Sequence, residues 1–340
     1  MSNAQARYLG LVRFLSVTLT LALPLGKIHI HRVPLLRLRM NGAHRRRLIA
    51  DALASPPPDP EQCEARAVLR GVNLRVPPSD FITRSHIRRA HAFAQEACEG
   101  ESAGSRYLEL LTLEYARLTD AEPWYWNQLW PGGIALANHV LAHAELVRGR
   151  TVLEFGTGLG LLAVSAAIAG AKRVVAIDIE PIALAFADQS ARDNDVASAV
   201  CTVAWDWQKP PTRGGVITSM IPFDVVLLPD VMYDSAAVER LGELASILLA
   251  PGGKLLFTDG TDRPYGSAHT DRLLEILRAP PAAFVLDSQT ELVAGADAAD
   301  GGAAPERPVR LVSLTRTAAA SVRVDRCDLV QQRDGWWRFT

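Results

Sequence analysis

The segment Val152-Leu-Glu154-Phe-Gly156-Thr157-Gly158-Leu-Gly160-Leu161 carries the residues best suited to chemistry, with three glycines at alternate positions between an apolar run and an Ala-rich one. Glycine lets a backbone turn sharply and approach a ligand with no Cβ in the way. Asp178 follows Gly158 by 20 residues. At that interval a carboxylate closing the next strand accepts hydrogen bonds from both ribose hydroxyls. Together they point to a cofactor that contains a nucleoside, and two classes fit. Gly158, Gly160 and Ala163 satisfy the dinucleotide pattern Gly-x-Gly-x-x-Gly/Ala, which is permissive on its own. Glu154, two residues before Gly156, suits a ligand bearing an ammonium group and not one bearing a pyrophosphate.

Such residues need a scaffold that brings strand ends to one edge. Residues 151–155, 173–178, 199–205, 223–228 and 254–258 read as short apolar strands. Helical patterns fill 159–169, 182–192, 236–249 and 271–278. This alternation predicts an α/β fold with a doubly wound parallel sheet. Pro251-Gly252-Gly253 reads as a turn into the fifth strand. Two more strands, 284–293 and 309–317, flank a Gly/Ala-rich stretch at 295–308 that reads as a disordered hairpin insertion. Upstream, 87–117 has helical periodicity and predicts a small helical cap, and a further helix is expected over 134–147. Ser55-Pro-Pro-Pro-Asp-Pro60 cannot continue a helix or strand. The expected division is a basic segment at 1–50, a linker at 51–86, the cap at 87–149, the cofactor-binding domain at 150–320 and a tail at 321–340.

Composition separates the first of these from the rest. The 340 residues hold 36 Lys+Arg and 37 Asp+Glu, a formal net charge of −1, yet the first 50 carry nine basic residues and no acid. Subtracting that +9 leaves −10 on residues 51–340. An acidic body disfavours a nucleic-acid partner, which calls for a basic face. The Arg-rich, acid-free beginning fits an organelle transit peptide, with mitochondrion ahead of plastid or cytoplasm. Its apolar stretch from Phe14 to Leu25 is 12 residues long, short of the ~20 that cross a bilayer, so no stable membrane span is expected. Four scattered cysteines without a Cys-x-x-Cys pair argue against a disulfide scaffold or a structural zinc. His139 and His143 stand four apart with no third ligand, so no metal site is expected.

Glu154-x-Gly156-x-Gly158-x-Gly160 resembles motif I of the class I, seven-strand S-adenosylmethionine-dependent methyltransferases. The two C-terminal strand candidates match the antiparallel hairpin that ends the Rossmann-like sheet of that family. The resemblance implies S-adenosylmethionine as cofactor. It places Glu154, Gly156, Thr157, Gly158 and Gly160 against the methionine part and Asp178 on the ribose. Asp206 and Trp207, in Trp205-Asp206-Trp207 after the third strand, fall where adenine is usually contacted.

Asp230-Val-Met-Tyr233 after the fourth strand departs from the Asn/Asp-Pro-Pro-Tyr of amino-base methyltransferases. It resembles the Asp-x-x-Tyr/Phe of the family 16 protein-lysine methyltransferases. With Trp130-Pro131-Gly132-Gly133 ahead of motif I, it is similar to their electron transfer flavoprotein beta subunit lysine methyltransferase group. Asp259-Gly-Thr-Asp-Arg263-Pro264 departs from that group's Gly-Asp-Pro-Gly-Arg-Pro, and no role is carried onto it. The resemblance implies methyl transfer to a lysine amine of a protein substrate. Asp230 is then expected to position the ammonium and help it shed a proton, Tyr233 to pack beside or hydrogen-bond the amine, and Trp130 to close the site at the cofactor. A small-molecule or ribosomal-protein methyltransferase on the same sheet, or a non-catalytic nucleotide-binding assembly partner, is the alternative. Trp124 and Trp126 read as substrate wall or cap packing, and Trp336 and Trp337 as anchors of the tail.

Overall fold

Runs such as Val174-Val-Ala-Ile177 and Val225-Val-Leu-Leu228, apolar at every position, fit strands covered on both faces. The computed structural model describes residues 50–52, 54, 59–69, 71–78, 80–99, 105–121, 125–211, 214–279, 284–294, 307–317, 329–331 and 337–339. The hairpin β1 (Glu64–Leu69) and β2 (Val72–Val76) comes first, then helices α1 (Phe81–Ala97), α2 (Ser105–Ala121) and α3 (Pro131–Ala142). The alternating part runs β3 (Thr151–Phe155), α4 (Leu161–Ile168), β4 (Arg173–Asp178), α5 (Pro181–Asp193), β5 (Val200–Ala204), α6 (Val216–Met220), β6 (Phe223–Pro229), α7 (Ser235–Leu248), β7 (Leu249–Gly260) and α8 (Ala268–Arg278). Then follow β8 (Phe284–Ala294), β9 (Arg307–Arg316) and a separate antiparallel pair, β10 (Leu329–Gln331) with β11 (Trp337–Phe339).

Seven strands make the main sheet, in the order β5-β4-β3-β6-β7-β9-β8. Pairing is parallel from β5 to β7, and β9 runs antiparallel to both neighbours. The chain winds outward from β3 to β5 and then returns to β6, so the carboxyl ends of β3 and β6 part at a topological switch point, where open sheets bind ligands. The two-residue period sorts each strand between two cores. Val152, Val174 and Leu227 join one; Leu153, Val175 and Leu228 join the other. Local signals set the helix starts. Pro181 supplies the fixed φ of a first helical turn, and the Asp234 side chain caps α7 by accepting from the Ala237 N–H at 2.7 Å.

The expected linker over 51–86 is corrected. It contains β1 and β2, and Leu69, Val72 and Leu74 are buried in the same core as α4 and α5. The hairpin is fastened to α5: Arg75 pairs with Asp193, and the Asn73 N–H donates to Asn194 Oδ1 at 2.9 Å. Its bulge between Ala67 and Leu69 breaks the strand alternation that sequence reading depends on. The helical pattern at 87–117 resolves into two helices, with α1 beginning at Phe81. Pro251-Gly252-Gly253 lies within β7 and not in a turn before it. Residues 295–306 of the expected insertion, the basic segment 1–49, Trp124 and Trp336 lie outside the described residues.

Candidate active site

At the switch point the loop leaving β3 must turn tightly into α4. Gly158 adopts φ +52°, and a Cβ there would lie 2.7 Å from the Trp126 carbonyl oxygen, so this position takes only glycine without strain. Asp178, at the end of β4, accepts from the Gly158 N–H at 2.9 Å and from the Glu180 N–H at 3.0 Å. Glu154 points inward from β3, is 1% exposed, and accepts from Thr157 Oγ1 at 2.8 Å. Burial pushes its carboxyl up to about 8. Burial also raises Asp178, against the opposing effect of three backbone N–H groups.

A cavity of about 450 Å³ opens beside these residues, lined at one end by Glu154, Gly156, Thr157, Gly158, Asp178, Ile179, Glu180 and Trp207. Its other end is formed by Tyr125, Trp130, Pro229, Asp230, Tyr233, Arg263, Pro264 and Tyr265. Four carboxyl groups and one guanidinium therefore line it; Glu154 keeps its proton up to about 8 and Asp230 is paired with Arg263, and the acidic lining disfavours a pyrophosphate. Aromatic rings edge the second end. Tyr125 stacks on Tyr233 with centroids 6.1 Å apart and meets Trp130 edge-on at 5.4 Å. The Trp130 Nε1–H donates to the Tyr125 carbonyl at 2.9 Å, which fixes the indole. Burial, with Asp234 nearby, pushes the Tyr233 hydroxyl up to about 12, so it stays protonated through the neutral range.

Asp230 stands differently from the sequence expectation. Its side chain is 1% exposed. One oxygen accepts from the Gly132 N–H at 2.7 Å; the other accepts from Arg263 at 2.8 Å and the Gly260 N–H at 3.3 Å. Its backbone sits at φ +55°, a region that aspartate tolerates better than most residues. The carboxylate is thus already engaged within the protein where it lines the acceptor end of the cavity. Gly132 belongs to the same joint, since a Cβ there would lie 2.6 Å from Asp230 Oδ2. Trp130-Pro131-Gly132-Gly133 and Asp230 are therefore one structural unit although 98 residues separate Gly132 from Asp230.

Of the residues expected to bind cofactor, Trp130, Glu154, Gly156, Thr157, Gly158, Asp178 and Trp207 line the cavity, and Gly160 and Asp206 do not. Gly160, at φ +89°, precedes α4, and its missing Cβ makes room for Ala187 of α5. Asp206 accepts from the Gln208 N–H at 3.0 Å and pairs with Lys209 at 3.0 Å, turned to its own loop. Trp126 is buried against Phe81 and Phe186 and also lines the cavity, so it both packs and forms part of the wall. The His139 and His143 rings lie 4.4 Å apart, tilted by 50°. Sequence reading missed Tyr125, Arg263 and Tyr265. The first lay among aromatics with no spacing to single it out, and the others lie on a loop whose altered motif hid them.

The chain is similar to several known proteins. The family described as "Ribosomal protein L11 methyltransferase (PrmA)" matches residues 139–256. The chain is 30% identical over 190 residues to the electron transfer flavoprotein beta subunit lysine methyltransferase of Rattus norvegicus, covering 53% of this chain and 71% of that relative. It is 36% identical over 117 residues to the protein of that name from Danio rerio, covering 34% of this chain and 42% of the relative. With the protein N-terminal and lysine N-methyltransferase EFM7 of Eremothecium gossypii it shares 31% identity over 159 residues, 44% of this chain and 60% of the relative. A switch-point cavity with an intact motif I and an acid closing β4, set beside such relatives, makes the chain a methyltransferase. It belongs to the class I S-adenosylmethionine-dependent methyltransferases, in the family of the electron transfer flavoprotein beta subunit lysine methyltransferases.

Proposed function

We propose that the chain binds S-adenosylmethionine at the β3–β4 end of its cavity and methylates a lysine amine of a protein at the β6–β7 end. The observation that carries this reading is the cavity itself, in which an acidic cofactor end meets an aromatic acceptor end. Bound there, S-adenosylmethionine supplies a methyl group on a sulfonium. Asp178 and Glu180 would meet the ribose hydroxyls, Gly156 and Gly158 would give the methionine part close backbone, and Glu154 would offer its ammonium a carboxyl oxygen and not a full charge. Trp207 packs on the base.

At the other end the chain must take a long cationic side chain, orient it and let it lose a proton. A lysine of pKa ~10.4 is only ~0.4% neutral at pH 8. Tyr125, Trp130 and Tyr233 form walls that can hold the aliphatic stem and favour a cation over their faces. They also keep water from the transfer line, so that the nitrogen lone pair is aimed along the carbon–sulfur axis. Asp230 acts as a positioning residue, which fixes Gly132 and hence Trp130.

The −10 on residues 51–340 suits a protein substrate presenting lysines better than a nucleic acid. The basic, acid-free first 50 residues suit import into the mitochondrion. Incubating the purified chain with tritiated S-adenosylmethionine and mitochondrial extract tests the whole reading. A labelled protein band that disappears when its modified lysine is replaced by arginine is the expected result. Label confined to small molecules or RNA, or none at all, refutes it.

A further inference from the structure

Arg263 is the one cation at the acceptor end among the described residues that line the cavity. Its guanidinium pairs with Asp230 through a single nitrogen at 2.8 Å and lies over the Trp130 ring at 5.0 Å from the centroid. The Nε–H is buried with no acceptor among the described residues. A guanidinium placed only to brace a carboxylate would use its fork in two parallel bonds. Here it makes one bond and leaves its charge facing the cavity. A lone buried carboxylate at that place would favour the charged form of any amine that approached it. It would thereby hold a lysine in the form that cannot be methylated.

We propose that Arg263 is a positioning residue for methyl transfer, cancelling the charge of Asp230 at the acceptor end so that an incoming lysine amine is not held as ammonium. This rests on the lysine reading above. The ammonium first releases a proton to solvent. The nitrogen lone pair then forms the N–C bond as the C–S bond breaks, its electron pair remaining on sulfur, and the methylated nitrogen keeps the positive charge. Other groups facing the pair have partners of their own. Asp259 accepts from Tyr265 and Thr270 and lies opposite Arg310 in the register of β7 and β9. Asp262 pairs with Arg307 at 3.5 Å. From the loop after β6 comes the neutral Tyr233, and from α3 the Gly132 N–H. Glu154 and Asp178 sit at the cofactor end.

Single-turnover methylation of the acceptor protein found in the extract experiment, followed against pH with the full chain, tests this. In Arg263→Gln the ascending limb should move to higher pH by about one unit or more, and in Arg263→Lys it should stay in place. In Asp230→Asn the uncancelled guanidinium should move the limb to lower pH, and the double variant should return it close to its original position. Melting curves and calorimetry with S-adenosylmethionine identify variants that fold. Arg263→Gln slowed equally at every pH, with its limb unmoved, overturns the proposal. If Arg263→Gln does not fold, an unmoved limb in Asp230→Asn overturns it instead. Failure of the unaltered chain to methylate any lysine refutes the lysine reading itself, and this inference with it.

Discussion

The Gly158 N–H donates to Asp178 Oδ2 at 2.9 Å, so the loop leaving β3 and the acid closing β4 are one rigid unit. The carboxylate that faces the cavity therefore also shapes the glycine turn. Asp178→Ala removes both functions. A hydrogen bond to a charged group contributes about 1.5–3 kcal/mol, so cofactor affinity should fall roughly 10- to 100-fold. Calorimetry with S-adenosylmethionine measures this, and a change under twofold would remove Asp178 from the site.

Glu154 gives a prediction in pH. Its folded value of about 8 lies above the ordinary 4.5, because burial disfavours the charged form. The folded chain thus keeps a proton that the unfolded chain has released. Its contribution is complete below about 4.5 and is lost as pH rises through about 8. Glu154→Gln cannot ionise, so its melting temperature should gain on that of the unaltered chain between pH 5 and 9. Parallel melting curves over that range would contradict the assignment.

Two glycines of motif I should separate under substitution. Gly158→Ala puts a Cβ 2.7 Å from a backbone oxygen and lines the cavity, so it should lose both stability and cofactor affinity. Gly160→Ala meets Ala187 outside the cavity. It should lower the melting temperature by a few degrees, ~2–4 °C for each kcal/mol in a domain of this size. The affinity of the folded fraction should stay unchanged. An affinity loss in Gly160→Ala matching that of Gly158→Ala would return Gly160 to the cofactor site.

Tyr233 is half exposed and stacked on Tyr125. If its ring serves as a wall, Tyr233→Phe should keep most turnover. Tyr233→Ala should lose roughly 10-fold in kcat/KM on the protein substrate, within the ~0.5–2 kcal/mol of a cation over an aromatic face. Equal losses in both variants would instead assign the work to the hydroxyl.

The parallel strands were legible because a fully buried strand is written as an unbroken apolar run, as in Val174-Val-Ala-Ile177. The cofactor end was legible for a related reason: close backbone approach demands glycine, and the spacing to Asp178 follows from one β-α-β unit. Asp230 was found but its partners were not, since nothing local reveals that the Gly132 and Gly260 N–H groups and Arg263 converge on it. Hairpin β1–β2 was missed for the same reason. Its short strands are half polar and become stable only against α5, where Arg75 meets Asp193. Non-local partners decide these places, and one sequence does not display them.

The docking of β2 on α5 sets a boundary for truncation of the chain. A chain begun after Asp59 would lose the side chain that caps the turn at Pro60–Gln62 leading into the hairpin. A cut beyond Leu69 would strip β1 from its partner and expose Val72 and Leu74. The hairpin is thus part of the folded enzyme's core and not a detachable preface to it.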